Sequence, residues 1–250
     1  MMRKDIGLAT VIVCATLAGS IAQPAWAAPV TYLETGGKES VTLDPEGLSI
    51  LEEIGLTFVS GENTAPPEPG FTYGWAQLPR SRSAAVRGTD FSFSYDADTG
   101  VYIPLAGTEE FVGTFLFDVD TTKLNLAPQL ELGDISVRFD DSFQFFAVDT
   151  ATTDLRFLNI DSSGSPIIDL ESQSFVLENV DVLATQEFSD FLIDAGAEQS
   201  ITGIRLATVR GDRTFVPESD AASVPEMTSL TPLLGLGVWL LARFKRLKHV

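Results

Sequence analysis

The chain has 250 residues, a formal net charge of −19 at neutral pH and 44% hydrophobic residues. Its one cysteine, Cys14, and its one histidine, His249, both lie near the ends, so the stretch between them has no disulfide, no thiol nucleophile, no Ser-His-Asp triad and no histidine-held metal or haem. The acidic field repels nucleic acid and anionic headgroups, which excludes nucleic acid as a partner.

At the N-terminus, Arg3 and Lys4 precede an apolar stretch over 6–21, and Ala25 and Ala27 flank Trp26 in an A-x-A arrangement. A positive region, an apolar region and small residues at a cleavage site make a secretory signal. Cleavage is expected after Ala27; an uncleaved N-terminal anchor is the alternative. The chain then divides into a signal peptide over 1–27, a β-domain over 28–216, a linker over 217–223 and a C-terminal segment over 224–250.

Within the body, 30–33 and 41–43 are predicted as short strands separated by Gly36 and Gly37. Asp44, Pro45 and Glu46 supply an N-cap, a first-turn proline and an early carboxylate. Leu48, Leu51 and Ile54 fall at helical spacing, and Gly55 gives the left-handed stop, so a short helix is predicted here. A strand over 56–59 follows, then a proline-rich loop over 61–70, then alternating Phe71, Tyr73 and Trp75. Phe91, Phe93 and Tyr95 alternate with serines, a turn follows over 96–100, and the chain returns over 101–105. Further strands are predicted over 111–119, 135–139, 143–148, 155–160, 167–170, 175–183 and 201–209. Phe188, Phe191, Leu192 and Ala195 predict a second short helix before Gly196. The fold class expected is all-β, an antiparallel two-sheet sandwich resembling a jelly roll, with one or two short helices and a C-terminal transmembrane helix.

That last helix rests on the apolar run over 230–242, with Thr231 and Pro232 at its start and Arg243, Lys245, Arg246 and Lys248 beyond it. The run is short for about 30 Å of hydrocarbon unless the basic side chains snorkel, and the basic cluster favours a cytoplasmic C-terminus. Val224, Pro225 and Glu226, the apolar helix and the terminal basic cluster together resemble the PEP-CTERM sorting signal. The resemblance implies that an exosortase, a membrane cysteine protease of Gram-negative bacteria, recognises the Pro-Glu-Pro box and removes the tail. Met227 stands where the second proline is usual, so the resemblance implies sorting to the membrane more firmly than cleavage. The same residues also fit a plain C-terminal anchor. A second likeness, carried by residues 41–58 and 200–210, is to secreted β-domains of bacterial cell-surface proteins, some of which occur beside haem-uptake modules. A body without histidine rules out carrying a haem role across.

Asp96 and Asp98 before Gly100 copy the opening of a calcium loop, in which alternate carboxylates point inward; a hairpin turn uses the same residues for backbone geometry. Asp118, Asp120, Asp140 and Asp141 sit at strand ends and could join such a site. Paired carboxylates would also suit a glycosidase, and Tyr73 and Trp75 could stack on sugar rings or fill the core. Arg80, Arg82 and Arg87 form either an anion patch or a solvated loop. The function expected is that of an exported, non-enzymatic protein with a structural or adhesive role at the cell surface or in the extracellular matrix. It would sit transiently in the inner membrane, with exosortase and the secretion machinery as partners. The alternative is a carbohydrate-binding module or glycan hydrolase acting on exopolysaccharide. Calcium is the one cofactor considered.

Overall fold

A computed structural model describes residues 29–81, 83, 85–162 and 164–223. The signal with Ala25 and Ala27, and the sorting segment with Val224, Pro225, Glu226, Arg243, Lys245, Arg246 and Lys248, lie outside the described residues, as does Arg82. Among the described residues no helix is long and apolar enough to cross a membrane.

In chain order the elements are β1 (Val30–Leu43), α1 (Pro45–Ile54), β2 (Leu56–Gly61), β3 (Tyr73–Gln77), β4 (Ser92–Asp96), β5 (Val101–Ala106), β6 (Glu109–Val112), β7 (Thr114–Val119), β8 (Gln129–Gly133), β9 (Ser136–Phe139), β10 (Phe145–Val148), β11 (Arg156–Ser162), β12 (Ile167–Asp169), β13 (Ser174–Ala184), α2 (Gln186–Ala195) and β14 (Arg205–Pro217). The expected linker contains a 3-10 turn, Glu218–Ser223, which packs on β1 and β14 with Ala221 buried.

The mostly-β expectation with two short helices holds. The finer expectation of two facing sheets is modified, because the large sheet closes on itself. β1 pairs with β14, β14 with β13, β13 with β11, β11 with β10, β10 with β9, β9 with β6, β6 with β3, and β3 with β1 again, all antiparallel. The result is an eight-stranded ring. β2, β7 and β8 form a separate three-stranded sheet.

Two long strands make closure feasible. β1 runs unbroken for 14 residues where two short strands were predicted. Gly36 and Gly37 do not end it: the register shifts between Glu34 and Gly36, a bulge that bends the strand without releasing the pairing. Consequently its first half pairs with β4 and its second half with β3 along the same edge.

The predicted strand over 111–119 breaks at Gly113, whose φ of +140° lies outside the region open to other residues. A Cβ there would overlap the Trp75 indole. The chain therefore leaves the ring after β6 and enters the second sheet as β7.

Each end of the ring is stoppered. At one end α1, capped as the sequence predicts by Asp44 and Gly55, and α2, which starts at an N-cap from Thr185 and stops at the predicted Gly196, bury Leu51, Ile54, Phe188 and Leu192 among β2, β7 and β8. At the other end the β4–β5 hairpin brings Phe91 and Phe93 against Tyr32, Phe175 and Phe215. Phe93 lies edge-on to Phe175 and Phe215, with ring centroids 5.6 and 5.4 Å away. Such edge contacts stabilise by about 1 kcal/mol each beyond the area they bury.

Candidate functional site

Eight antiparallel strands enclose an interior that side chains just fill or that holds one small ligand. Here small residues stand on the inner wall, and a cavity of about 290 Å³ lies between the two stoppers. Val182 faces Ala207 and Val180 faces Val209 across β13 and β14, while Ala147 faces Val137 across β10 and β9. These side chains, with Trp75, Phe115, Leu158 and Ile160, make most of the lining apolar. The exposed lining residues Phe143, Ser162, Gly164 and Ser165 mark where the cavity meets solvent.

One part of the wall is charged. Continuing inward along the same faces, Glu39 on β1 lies opposite Gly211 on β14, Arg213 follows two residues later, and Glu109 on β6 lies opposite Val137. All three residues line the cavity. Arg213 is 3% exposed, Glu39 8% and Glu109 3%. A Cβ at position 211 would press at 3.0 to 3.3 Å on the guanidinium nitrogens of Arg213 and on Glu39 Oε1, so the glycine makes room for the ion pair.

The guanidinium of Arg213 has five N–H groups and all are engaged. Nε donates to Glu109 Oε2 at 2.8 Å, and Nη2 donates to Glu109 Oε2 at 2.6 Å and to Glu39 Oε1. Nη1 donates to the carbonyls of Lys38 and Asp212 at 2.9 and 3.3 Å. The group also lies 4.7 Å from the centroid of the Phe111 ring. A third carboxyl, Glu34, comes within 3.9 Å of Arg213 Nε and accepts from Gln77 Nε2 at 2.7 Å.

Donors run out before acceptors do. Glu34 Oε1, Glu39 Oε2 and Gln77 Oε1 are buried with no hydrogen-bond donor among the described residues. Three carboxyls share one guanidinium, and protonation follows from that imbalance. Burial pushes Glu39 up to about 7, against a partial pull downward from Arg213. Burial, with the Glu109 charge nearby, raises Glu34 well above the usual carboxylate range. Burial and the same two neighbours, Glu34 and Glu109, raise Tyr102. For Arg213 burial alone would lower the pKa, but the surrounding carboxyls outweigh it and raise it.

The residues singled out from the sequence fall elsewhere. Asp96 caps the β4–β5 turn, its Oδ1 accepting from the backbone N–H of Asp98 at 2.9 Å and of Thr99 at 3.3 Å. Those bonds, with the Thr99 side chain foremost, hold its carboxyl below the usual range. Asp98 lies on the same turn. No three acidic, histidine or cysteine side chains among the described residues are grouped to hold a metal, so Asp96 and Asp98 are not joined by Asp118, Asp120, Asp140 or Asp141.

Trp75 is buried, with its Nε1 donating to the Glu62 carbonyl at 3.1 Å and its ring 4.6 Å from Phe115. Tyr73 lies edge-on to Phe58 and Phe115. Both rings pack against aromatic neighbours, and Trp75 also lines the cavity. Arg80 is buried, and Arg87 donates to Glu110 at 2.9 Å and to the carbonyls of Phe111, Asp134 and Ile135. The expected solvated loop is instead tied to β6 and to the segment before β9.

Glu39, Glu109 and Arg213 were missed by sequence reasoning. The available signal was a charge on the inward face of an alternating strand: Glu39 with Val41, Glu109 with Phe111, and Arg213 between Gly211 and Phe215. A buried carboxyl with a shifted proton affinity on a cavity wall is a candidate functional group. Compared with models of protein families, with curated proteins and with solved structures, the chain matches none significantly.

Proposed function

We propose that the chain is an exported, non-enzymatic binding protein that holds a small, mostly apolar molecule inside its β-barrel. The observation that carries this reading is the 290 Å³ cavity, walled by inward side chains of a closed ring and opening beside Phe143 and Ser165. A well-packed interior leaves few voids larger than a water molecule, and an open cavity of this size loses dispersion contacts that a ligand restores. At about 30 Å³ per water-sized group the space takes roughly ten such groups, a short aliphatic or single-ring molecule.

Export comes from the sequence: the signal with Ala25 and Ala27 at its cleavage site, and the tail that resembles the PEP-CTERM signal. In this reading the chain passes through the inner membrane, exosortase acts on the Pro225–Glu226 segment, and the barrel works at the cell surface or outside it. Mass spectrometry of the exported protein should find an N-terminus at Ala28 and a C-terminus ahead of the apolar run. The intact polypeptide recovered from the cytosol would overturn the export reading.

The test of binding is titration of the purified full chain with an environment-sensitive apolar dye. Saturable one-to-one binding is expected, weakened at least tenfold by Ala207→Phe, which fills the cavity from β14. Val209→Phe is the second variant should the first fold poorly. Dye binding that both folded variants retain would show that the dye sits elsewhere and would remove the reading.

The structural or adhesive role remains as a second reading, favoured by β5. Among the described residues this strand pairs only with β4, and it exposes Val101, Ile103 and Leu105 along its free edge at 41–48%. An apolar free edge of this kind invites pairing with another chain. Replacing the three with lysine should release the exported protein from the cell surface if adhesion is its role; unchanged retention would discard it.

A further inference from the structure

We propose that the molecule held in the barrel carries a primary ammonium group, received by Glu39 Oε2, with its aliphatic part against the apolar wall. This deepens the binding reading above and rests on it.

The choice of charge follows from the donor count. An anionic ligand needs N–H groups, and Arg213, the one cation on this wall among the described residues, has all five directed at Glu39, Glu109 and two carbonyls. The unsatisfied atoms of this cluster are acceptors. Glu39 Oε2 is buried without a donor on a residue that lines the cavity, and Glu34 Oε1 and Gln77 Oε1 stand unfilled nearby. An ammonium brings three N–H donors and one positive charge on a compact head.

Charge points the same way. Around Glu39 stand Arg213 and Asp212 on β14 and Glu109 on β6, with Glu34 on β1 itself, Gln77 on β3 bonded to Glu34, and Tyr102 on β5 beside Glu34 and Glu109. Among these, acidic groups outnumber the single guanidinium. Without a ligand the excess is relieved by protons, which is why Glu39 retains its own up to about pH 7. A bound ammonium replaces that proton, leaving Glu39 ionised between two cations. The head needs an apolar tail as well, because the remainder of the wall is mostly apolar, with Val41, Trp75, Phe115, Leu158 and Ile160 among its side chains.

Isothermal titration of the full chain with octylamine, octanol and octanoate at pH ~8 provides the test. Octylamine should bind at least tenfold more tightly than octanol, and octanoate least. In E39Q the preference for the amine over the alcohol should vanish while octanol binding persists. An alkylamine stays protonated to about pH 10, as lysine does, so its own charge is constant between pH ~8 and ~5.5; protonation of Glu39, with its pKa about 7, should lower the affinity for octylamine about thirtyfold over that range. Octanol equal to octylamine, or an amine preference unchanged in E39Q, overturns the ammonium assignment and leaves the cavity reading intact. Failure of all three to bind removes both.

Discussion

Substituting Glu39 by glutamine perturbs the charged wall with the least change of shape, and its effect on stability is best read as a dependence on pH. In the folded state Glu39 holds its proton up to about pH 7, whereas its ordinary value is 4.5. Between those two values the folded chain binds a proton that the unfolded chain has released. Stability therefore falls as pH rises, at a rate set by the difference in bound protons. At 1.36 kcal/mol per pH unit, the interval amounts to about 3 kcal/mol, present in full below pH 4.5 and lost on passing pH 7. Glutamine has no such equilibrium. Urea unfolding of the ligand-free chain followed by far-ultraviolet circular dichroism, at several values from about pH 5 to pH 8, should give a wild-type curve that declines more steeply than the E39Q curve by about 2 to 3 kcal/mol. The vertical offset between the curves depends on how the introduced amide contacts Arg213, whereas the difference in slope is set chiefly by the proton on Glu39. Parallel curves would refute the reasoning, because Glu39 would then have to be ionised throughout and the crowding of carboxyls around one guanidinium would not govern its proton.

Removal of the cation has the opposite pH signature. Arg213→Met leaves Glu39 and Glu109 buried without their partner and should destabilise by about 3 to 5 kcal/mol, more at alkaline than at acid pH, since protonation of Glu39 relieves its orphaned charge; thermal unfolding at two pH values checks it, and an equal loss at both would count against the assigned charge of Glu39. Gly113→Ala forces a Cβ into the Trp75 indole at a φ of +140° and should destabilise by about 2 to 4 kcal/mol. A loss under about 1 kcal/mol on chemical denaturation would mean that the turn between β6 and β7 relaxes freely.

Local chemistry made both helices legible. Asp44 Oδ1 accepts from Glu46 N and Gly47 N at 3.0 Å each, and Gly55 adopts φ +110°, as the Asp-Pro-Glu start and glycine stop require. Strand edges with alternating aromatics, such as Phe91 to Tyr95, were equally readable. Pairing was not, because nothing in a strand's own residues names its partner. β14 illustrates the difficulty. Its segment Arg210-Gly211-Asp212-Arg213 looks like a polar turn, yet the strand runs through it. Arg210 and Asp212 project outward and pair with each other at 2.9 Å, Arg210 reaching Glu178 at 3.0 Å, while Arg213 turns inward to Glu39 and Glu109. Periodicity scored on hydrophobicity treats all four residues alike, and so ends the strand at 209 and hides the charged wall.

The same strand shows why the ion cluster is better understood as a binding feature than as a stabilising one. Paired charges taken out of water stabilise a fold little, and apolar residues of similar volume in their place are often neutral or favourable. Glu34, Glu39, Glu109 and Arg213 come from three strands of one closed ring, and Gly211 is needed to admit the pair at all. A core selected for stability alone would close this space with apolar side chains, as the chain does beneath the β4–β5 hairpin at Phe93, Phe175 and Phe215. Instead the ring has a hollow, and at the edge of the hollow it holds more acceptors than it can satisfy. Both departures lower the stability of the empty barrel, and one molecule with an apolar body and a donating head would reverse both at once.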